Sequence, residues 1–365
     1  MRYATLTALS IGILLQGCSA NYLNKTAYPY QKLPGWDSGD QIASMYALRQ
    51  SCRVIIKDND KRTVDQNWLK ACHAILSEKP QTDTASRRLI EEYFTPYRLS
   101  LKDTSSGHFT GYYQPTLLGS PVKTSEYTVP IYKRPDSLIR KTLKDGNAKY
   151  GMMKNGRFVP YYSREEISDG NLFSKKDIIA WLPNRTERAF LQIQGSGRIY
   201  FPDGKSILVG YSAQNGHPYR PIGRALLEQK ELPRDQITMQ SIKEWLDDNP
   251  KKADEILDYD PSFVFFKVLD HSNPVGAQGV ELTPKISLAV DWRFTRYGTP
   301  VWLNTTYETA DGKEHELQKL MVAQDTGGAI RGPNRGDVFW GFGHAAEYTA
   351  GHMNSKGEMW VLLPK

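Results

Sequence analysis

Val322–Gly343 reads VAQDTGGAIRGPNRGDVFWGFG, two apolar runs joined by a loop crowded with glycine. Two acids, Asp325 and Asp337, stand at the ends of the loop, with Gly327, Gly328, Gly332, Pro333, Asn334 and Gly336 between them. Glycine lets a backbone turn tightly and approach a ligand closely, and proline and asparagine favour turns. A carboxyl group just ahead of Val338-Phe339-Trp340 can sit in a partly apolar wall, where desolvation raises its pKa. A general acid working near neutral pH requires that shift. The flanking runs predict strands over Lys319–Gln324 and Asp337–Gly341.

Outward from this unit, Phe263–Val268, Ile286–Asp291, Pro300–Tyr307 and Met359–Leu363 also read as strands, and Asp311-Gly312 as a hairpin turn. A second β-rich stretch begins at Phe109: Phe109–Pro115 (FTGYYQP), Tyr127–Tyr132, Ala189–Gln194 and Ser206–Tyr211, separated by Gly and Pro turns. Helices interrupt it. One opens at Ser163, whose spacing to Glu166 forms a capping box, and others span Ile222–Gln229 and Met239–Leu246, before Pro250. Residues 41–100 look helical, with apolar positions at Ile42, Met45, Leu48 and Ile55, then Trp68, Leu69 and Ile75, and a last segment at Arg87–Phe94 before Pro96. No internal repeat or low-complexity segment is evident.

The N-terminus addresses the chain to an export route. Arg2 precedes an apolar run from Ala4 to Leu15, too short for a membrane span, which needs ~20 residues. Leu15-Gln16-Gly17-Cys18-Ser19 resembles a bacterial lipobox, with Gln16 a polar departure. Residues 1–17 then form a lipoprotein signal peptide and Cys18 the lipidation site; an ordinary cleaved signal is the alternative. Ser19 rather than aspartate points to the outer membrane. Residues 18–40, polar and punctuated by Pro and Gly, read as a tether.

Composition describes a folded body of about two domains, 39% hydrophobic and 24% charged over 365 residues. The 8 Trp and 21 Tyr suit either stacking on carbohydrate or a β-rich core. Net charge is +7, and loss of residues 1–17 removes only Arg2, leaving +6. An exported basic protein suits a polyanionic cell-wall or lipid partner and not nucleic acid. In an oxidising compartment, Cys52 and Cys72 form one available pair. A bridge between their helices closes a loop of about 20 residues, contributing roughly 3 kcal/mol. Two free buried thiols are the other reading.

Gln194-Gly195-Ser196-Gly197 offers an amide and a hydroxyl on a turn, suited to N-acetyl and hydroxyl groups, although GSG is also a common turn. Tyr211, Asn215, His217 and Tyr219 form a polar-aromatic cluster that serves either glycan contact or loop architecture. His344-Ala345-Ala346-Glu347 with His352 lacks the zincin spacing of two histidines four apart on a helix. Gly210-Tyr211-Ser212-Ala213-Gln214 lacks the closing glycine of a nucleophile elbow.

FTGYYQP, Leu191–Gly197 (LQIQGSG), Gly210–Gly223 (GYSAQNGHPYRPIG), Asn249–Lys267 with its PSFVFFK ending, and Ala323–Gly343 occur in that order. Together they resemble the membrane-bound lytic murein transglycosylase A family (glycoside hydrolase family 102). The C-terminal third resembles its three-aspartate (3D) domain, with Asp291, Asp325 and Asp337 as the aspartates. Each motif is short; five in series are specific, and they cover about seven-tenths of the chain.

The resemblance implies a mainly β fold with α: N-terminal helices and a double-psi β-barrel (41–113 with 265–365), a smaller inserted β domain (114–264), and a groove between them. It implies cleavage of the β-1,4 bond between N-acetylmuramic acid and N-acetylglucosamine without hydrolysis, leaving 1,6-anhydromuramoyl ends. One carboxyl group acts as acid and then base, unlike the two of most glycoside hydrolases. By motif that group is Asp337, with Asp325 supporting it; Asp291, the third aspartate of the catalytic set, ends a strand and reads rather as structural. Thr110 suits a hydrogen bond to the catalytic carboxyl, and one of Tyr112 and Tyr113 faces the groove. Gln194, Gly195, Ser196, Tyr211, Asn215 and His217 are the other expected glycan contacts. No cofactor or metal is implied. Expected partners are glycan strands, the outer membrane at its periplasmic face in a Gram-negative bacterium, and cell-wall synthesis machinery. A non-catalytic peptidoglycan-binding lipoprotein is the alternative.

Overall fold

The computed structural model describes residues 23–58, 65–101, 106–143, 148–170 and 172–365; the signal peptide and Cys18 lie outside them. The chain opens with strand β1 (Leu23–Ala27), then helices α1 (Ile42–Asp58), α2 (Gln66–Ser77) and α3 (Asp83–Tyr93), and strands β2 (Phe94–Leu101) and β3 (Gly107–Gln114). Next come β4 (Thr116–Leu118), β5 (Val129–Tyr132), β6 (Ile139–Thr142), β7 (Ala148–Lys154), β8 (Arg157–Val159), α4 (Arg164–Asp169), β9 (Ile178–Leu182) and α5 (Arg185–Gln194). They lead to β10 (Ser196–Tyr200), β11 (Ser206–Gln214), α6 (Ile222–Glu228), α7 (Met239–Asp248), α8 (Pro250–Asp258) and β12 (Val264–Leu269). The last third holds β13 (Ser287–Val290), β14 (Pro300–Glu308), β15 (Glu314–Asp325), β16 (Arg335–Phe342), α9 (His344–His352) and β17 (Asn354–Pro364).

Six strands close on themselves in the order β17-β14-β15-β13-β16-β3, with β3 pairing back to β17, while β2 and β1 extend the sheet from β17. Two neighbouring pairs, β13 with β15 and β16 with β3, are parallel. This closed sheet is the β-barrel expected of the fold. Its strands alternate between two cores, as a period of two requires. Val301, Leu303, Met321, Ala323, Met359 and Val361 fill the interior. Their neighbours Trp302, Leu320, Val322, Trp360 and Leu362 point outward onto α1, α2 and α3. Both faces are buried, so these strands read as continuous apolar runs.

Residues 23–40, expected as a tether, belong to this body. β1 pairs with β2 in antiparallel register from Leu23↔Leu101 to Ala27↔Tyr97. Trp36 is 1% exposed, lies edge-on to Trp302 at 4.9 Å and donates its indole N–H to Glu91 at 2.7 Å. Burying one such ring outweighs the polar, turn-rich character of its neighbours.

The segment between β3 and β13 forms a second body around a sheet ordered β12-β11-β10-β4. β12 pairs with β11 to Leu269, so this body extends past the boundary placed at 264. Ala189–Gln194, expected as a strand, is the second half of α5. Asn184 caps that helix by accepting from the Glu187 N–H at 2.8 Å, and Gly195 ends it in a left-handed turn at φ +77°. The short apolar run LQIQ fits both periods, and the caps on either side decide for helix. α8, missed from sequence, begins at Pro250, where a helix tolerates proline.

The two bodies are bolted together behind the barrel. Glu347 of α9 accepts from Tyr113 of β3 at 2.8 Å and from Lys243 of α7 at 3.2 Å. Gln240 of α7 also donates to the Glu347 carbonyl at 3.2 Å.

Cys52 and Cys72 are joined in a disulfide between α1 and α2, across a separation of 20 residues. Both sulfurs are buried in the helical layer that covers the barrel. Reduction, or the double change Cys52→Ala and Cys72→Ala, is expected to lower unfolding free energy by roughly 3 kcal/mol in urea titrations. An unchanged midpoint would show that the bridge does not constrain this layer.

Candidate active site

β3 and β16 run parallel with His108 beside Arg335, Thr110 beside Asp337 and Tyr112 beside Phe339. Partners in a parallel pair share a face, so these three rungs project together. Their neighbours Phe109, Tyr113, Val338 and Trp340 point into the barrel. Between them, Gly111 must lack a side chain: a Cβ there would lie 2.8 Å from Ala350 Cα and 2.6 Å from the Trp340 ring. The outward face is thus fixed by the packing of the inward one.

Asp337 sits half-buried at the middle rung. Its Oδ1 accepts from the Thr110 hydroxyl at 2.5 Å, and Thr110 in turn accepts from Arg335 Nη2 at 2.8 Å. No hydrogen bond to Asp337 Oδ2 occurs among the described residues. Burial raises the Asp337 pKa, while the Arg335 guanidinium, the Thr110 hydroxyl and His108 oppose the rise without cancelling it. The result is a carboxyl group that holds its proton to higher pH than an exposed aspartate does.

Asp325, at the end of β15, is committed on both oxygens. Oδ2 accepts from Tyr112 at 2.9 Å and Oδ1 from the Ala277 N–H at 2.9 Å. Burial pushes its pKa up to about 6, against the pull of the Thr326 and Ala277 N–H groups and the Tyr112 hydroxyl, and the like charge of Asp337 adds to the rise. Gln324, just before it, is buried and anchors the strand to α1 by donating to Ala47 O and Ser51 Oγ, each at 2.9 Å. Tyr112 therefore lies on the face that carries Asp337, packed beside Phe339, and Tyr113 serves the bolt.

Asp291 braces the glycine loop. Its carboxylate accepts from Arg293 Nε at 2.8 Å and Nη2 at 2.5 Å, and from the Gly332 N–H at 2.8 Å. Burial disfavours the charge, but these donors outweigh it and hold the pKa below the usual range. Gly332 takes φ +107°, a conformation that suits glycine. An ionised, fully engaged carboxylate is a strut, so Asp291 is corrected from the catalytic set to a positioning role.

The inserted body meets the site at the loop after β11. A Cβ on Gly328 would lie 3.6 Å from the Tyr219 side chain, so the glycine loop passes directly over this residue. Burial raises the Tyr219 pKa, and the charge of Asp337 is among the smaller causes, which places the ring within electrostatic reach of the carboxyl.

Asn215 and His217 hold this loop, and Asn215 is closed to any ligand. Asn215 is fully buried, donating to Tyr162 O and Pro261 O at 2.9 Å and accepting from the Phe263 N–H at 2.9 Å. His217 Nε2 lies 2.7 Å from Tyr161 O. Below them, buried Asp260 accepts from Arg164 Nη2 at 3.1 Å and from the Arg220 N–H at 3.0 Å, fixing the backbone beside Tyr219. For Asn215 the reading as a glycan contact is corrected to loop architecture, while half-exposed His217 keeps a ring face on the loop surface.

Gln194 Oε1 accepts from the Tyr113 N–H at 3.0 Å, joining α5 to β3, and Ser196 is buried at the start of β10. Gly195, between them, is the left-handed cap of α5. Tyr211 keeps 46% of its surface exposed on β11, which leaves an aromatic face available.

Arg335, outside the expected set, and Tyr219, which the sequence grouped with Tyr211, Asn215 and His217, complete the geometry. Arg335 was legible as the residue two before Asp337, on the same strand face. Among the described residues no group of three or more His, Cys, Asp or Glu is arranged to hold a metal. Glu347 is taken by Tyr113 and Lys243, and the His352 ring stacks on Tyr348 at 3.9 Å.

Comparison with known proteins follows the same division. Residues 108–267 match the model of the MltA specific insert domain, and residues 286–363 match the 3D domain. The chain is 34% identical over 259 residues to membrane-bound lytic murein transglycosylase A of Escherichia coli K12, an alignment covering 70% of this chain and 65% of that protein. The aligned part is thus about two-thirds of the length of that curated relative. Among solved structures, MltA from Neisseria gonorrhoeae in a monoclinic form superposes with TM-score 0.77 and 32% identity, covering 94% of this chain and 93% of that one. E. coli MltA with bound chitohexaose gives TM-score 0.69 at 27% identity, covering 88% and 90%. Near-complete coverage at that level of identity, with both domain models matched in order, places this chain in the membrane-bound lytic murein transglycosylase A family.

Proposed function

We propose that this protein is a lytic transglycosylase, cutting the β-1,4 bond between N-acetylmuramic acid and N-acetylglucosamine in peptidoglycan. The observation that carries the proposal is the contrast between the two groove-side acids: Asp337 has an oxygen to offer a substrate, whereas both oxygens of Asp325 are engaged. One carboxyl group with one free oxygen suits a mechanism that needs a single acid/base. The relative crystallised with chitohexaose supports a glycan chain as the occupant of the groove.

In this reading, protonated Asp337 gives its proton to the glycosidic oxygen as the bond to the muramoyl C1 breaks. The resulting carboxylate then accepts the proton of the muramoyl C6 hydroxyl as that oxygen closes on C1. The departing sugar gains the first proton and the acid regains the second, so no water is consumed. Thr110 and Arg335 stabilise the carboxylate stage, and burial favours the acid stage. Asp325 keeps Tyr112 and the Ala277 backbone in place around the sugar. Tyr211, and the turn at Gln194, Gly195 and Ser196, would line the groove further along. Lipidation at Cys18 would hold the enzyme at the outer membrane, next to its substrate, and synthesis machinery could then recruit it. No helix among the described residues is long and apolar enough to cross a membrane.

Digestion of murein sacculi by the mature protein should release muropeptides ending in 1,6-anhydromuramic acid. Mass spectra showing reducing muramic acid instead, one water heavier, would overturn the mechanism. Asp337→Asn should cut turnover by about 10³-fold or more, as loss of a positioned acid/base does, with glycan binding retained. Intact binding without any turnover in the parent protein would identify a non-catalytic binding lipoprotein.

The pH profile offers a second check. Asp337 must begin protonated, so turnover should fall as pH rises through its elevated pKa. Thr110→Val removes a hydrogen bond that opposes the rise of the Asp337 pKa, so the pKa should climb further and the alkaline limb should move to higher pH. A limb that stays in place would show that this hydrogen bond does not govern the protonation of the acid in turnover.

A further inference from the structure

One rung below the acid, the outward face of β3 and β16 opens into a cavity of about 390 Å³ that the proposed mechanism does not use. His108, Arg331, Gly332, Asn334, Arg335 and Ser106 are among its lining residues, and among the described residues that lining has no carboxylate. Arg335 joins it to the site, since its Nη2 donates to the Thr110 hydroxyl that contacts Asp337. His108 is the register partner of Arg335 and is exposed, its Nε2 lying 2.6 Å from Asn354 Oδ1. Arg331 is also exposed; its Nη1 donates to Gly327 O at 2.9 Å and Ile330 O at 2.8 Å, which anchors one end of the guanidinium to its own loop. Asp291, which accepts from the Gly332 N–H of the glycine loop, is already engaged by Arg293.

The placement is suggestive in chemical terms. Two residues along a strand advance about 7 Å, so the cavity stands from Asp337 by roughly the width of one pyranose ring. The muramoyl ring whose C1 is attacked carries, across that ring, a lactyl ether on its 3-oxygen. That ether ends either in a free carboxylate or in a stem peptide with carboxylates of its own. A neutral chitooligosaccharide has neither. Guanidinium groups recognise carboxylates through paired, charge-assisted hydrogen bonds.

We infer that this cavity is a subsite for a carboxylate carried by the 3-O-lactyl arm of the muramoyl residue, with Arg331 and His108 as its recognition groups. The inference rests on the lytic transglycosylase reading for its substrate class. It supplies a means of telling murein from chitin-like chains, which differ at that arm and not along the glycan backbone. It also sets the direction of the strand in the groove, because only one orientation puts the arm on the His108 side of Asp337.

Binding is best measured calorimetrically in the Asp337→Asn background, which stops turnover, with and without Arg331→Gln. Glutamine retains an amide donor for the Gly327 carbonyl. Three ligands separate the cases: peptide-bearing glycan strands, strands stripped by an amidase to the free lactyl carboxylate, and chitohexaose. Arg331→Gln should weaken carboxylate-bearing strands by roughly tenfold to a hundredfold, with chitohexaose unchanged. Raised salt should narrow the gap between the two proteins. Loss confined to peptide-bearing strands would assign the stem carboxylate, loss confined to stripped strands the lactyl carboxylate, and loss on both a pocket that takes either. An equal loss for chitohexaose, or no loss for any ligand, overturns the subsite. His108→Gln, at a separate position on the rim, should give the same selectivity in smaller measure. The product analysis of the parent protein is independent of these affinities, so a selective pocket without anhydro products would leave the subsite standing and remove the catalytic reading.

Discussion

The parallel pairing of β3 with β16 is the constraint on which the site depends. Its register sets Thr110 beside Asp337, and a slip of one residue would turn Asp337 into the barrel interior and Val338 out of it. The slip is prevented from inside. Phe109, Tyr113, Val338 and Trp340 are packed on the inner face, and Gly111 leaves no room for any larger residue beneath Trp340 and α9. The energetics of an apolar core thereby dictate which polar groups face the groove, without any direct attraction among those polar groups.

Electrostatics then divides the labour between similar side chains. Asp291, Asp325 and Asp337 are chemically identical and are separated only by their donors. Asp291 faces a guanidinium and a backbone N–H and is held ionised. Asp325 has a hydroxyl and N–H donors but no guanidinium, and burial pushes its pKa up to about 6. Asp337 has one hydroxyl directly and a guanidinium at one remove, which leaves it responsive to whatever fills the groove. The glycine loop mounts this arrangement: Gly332 reaches Asp291, and Gly328 passes over Tyr219.

The inserted body contributes by bracing. Buried Asp260, Arg164 and Asn215 spend their hydrogen bonds on backbone and on one another, and the product of that spending is a fixed loop carrying Tyr219. A buried, fully satisfied polar network of this kind specifies a conformation more than it adds net stability. The bolt of Glu347, Lys243 and Tyr113 does the same for the seating of one body on the other.

Much of this was legible in the chain order of residues. Strand periodicity located β3, β14, β15 and β16, the capping box located α4, and the acids around the glycine loop pointed to Asp337. The misreadings share a cause. LQIQ fits both helix and strand until its flanking caps act, and residues 23–40 look like linker until Trp36 finds Trp302, more than 250 positions away. Asn215 fitted a ligand contact as well as loop architecture because a polar side chain carries no mark of whether its partner will be a sugar or a backbone carbonyl. Local propensity and alternation thus determined which elements form and which residues share a face. Only the closed barrel and the docked insert decided which of three aspartates keeps an unshared oxygen, because burial and donor geometry arise from contacts between segments distant in sequence.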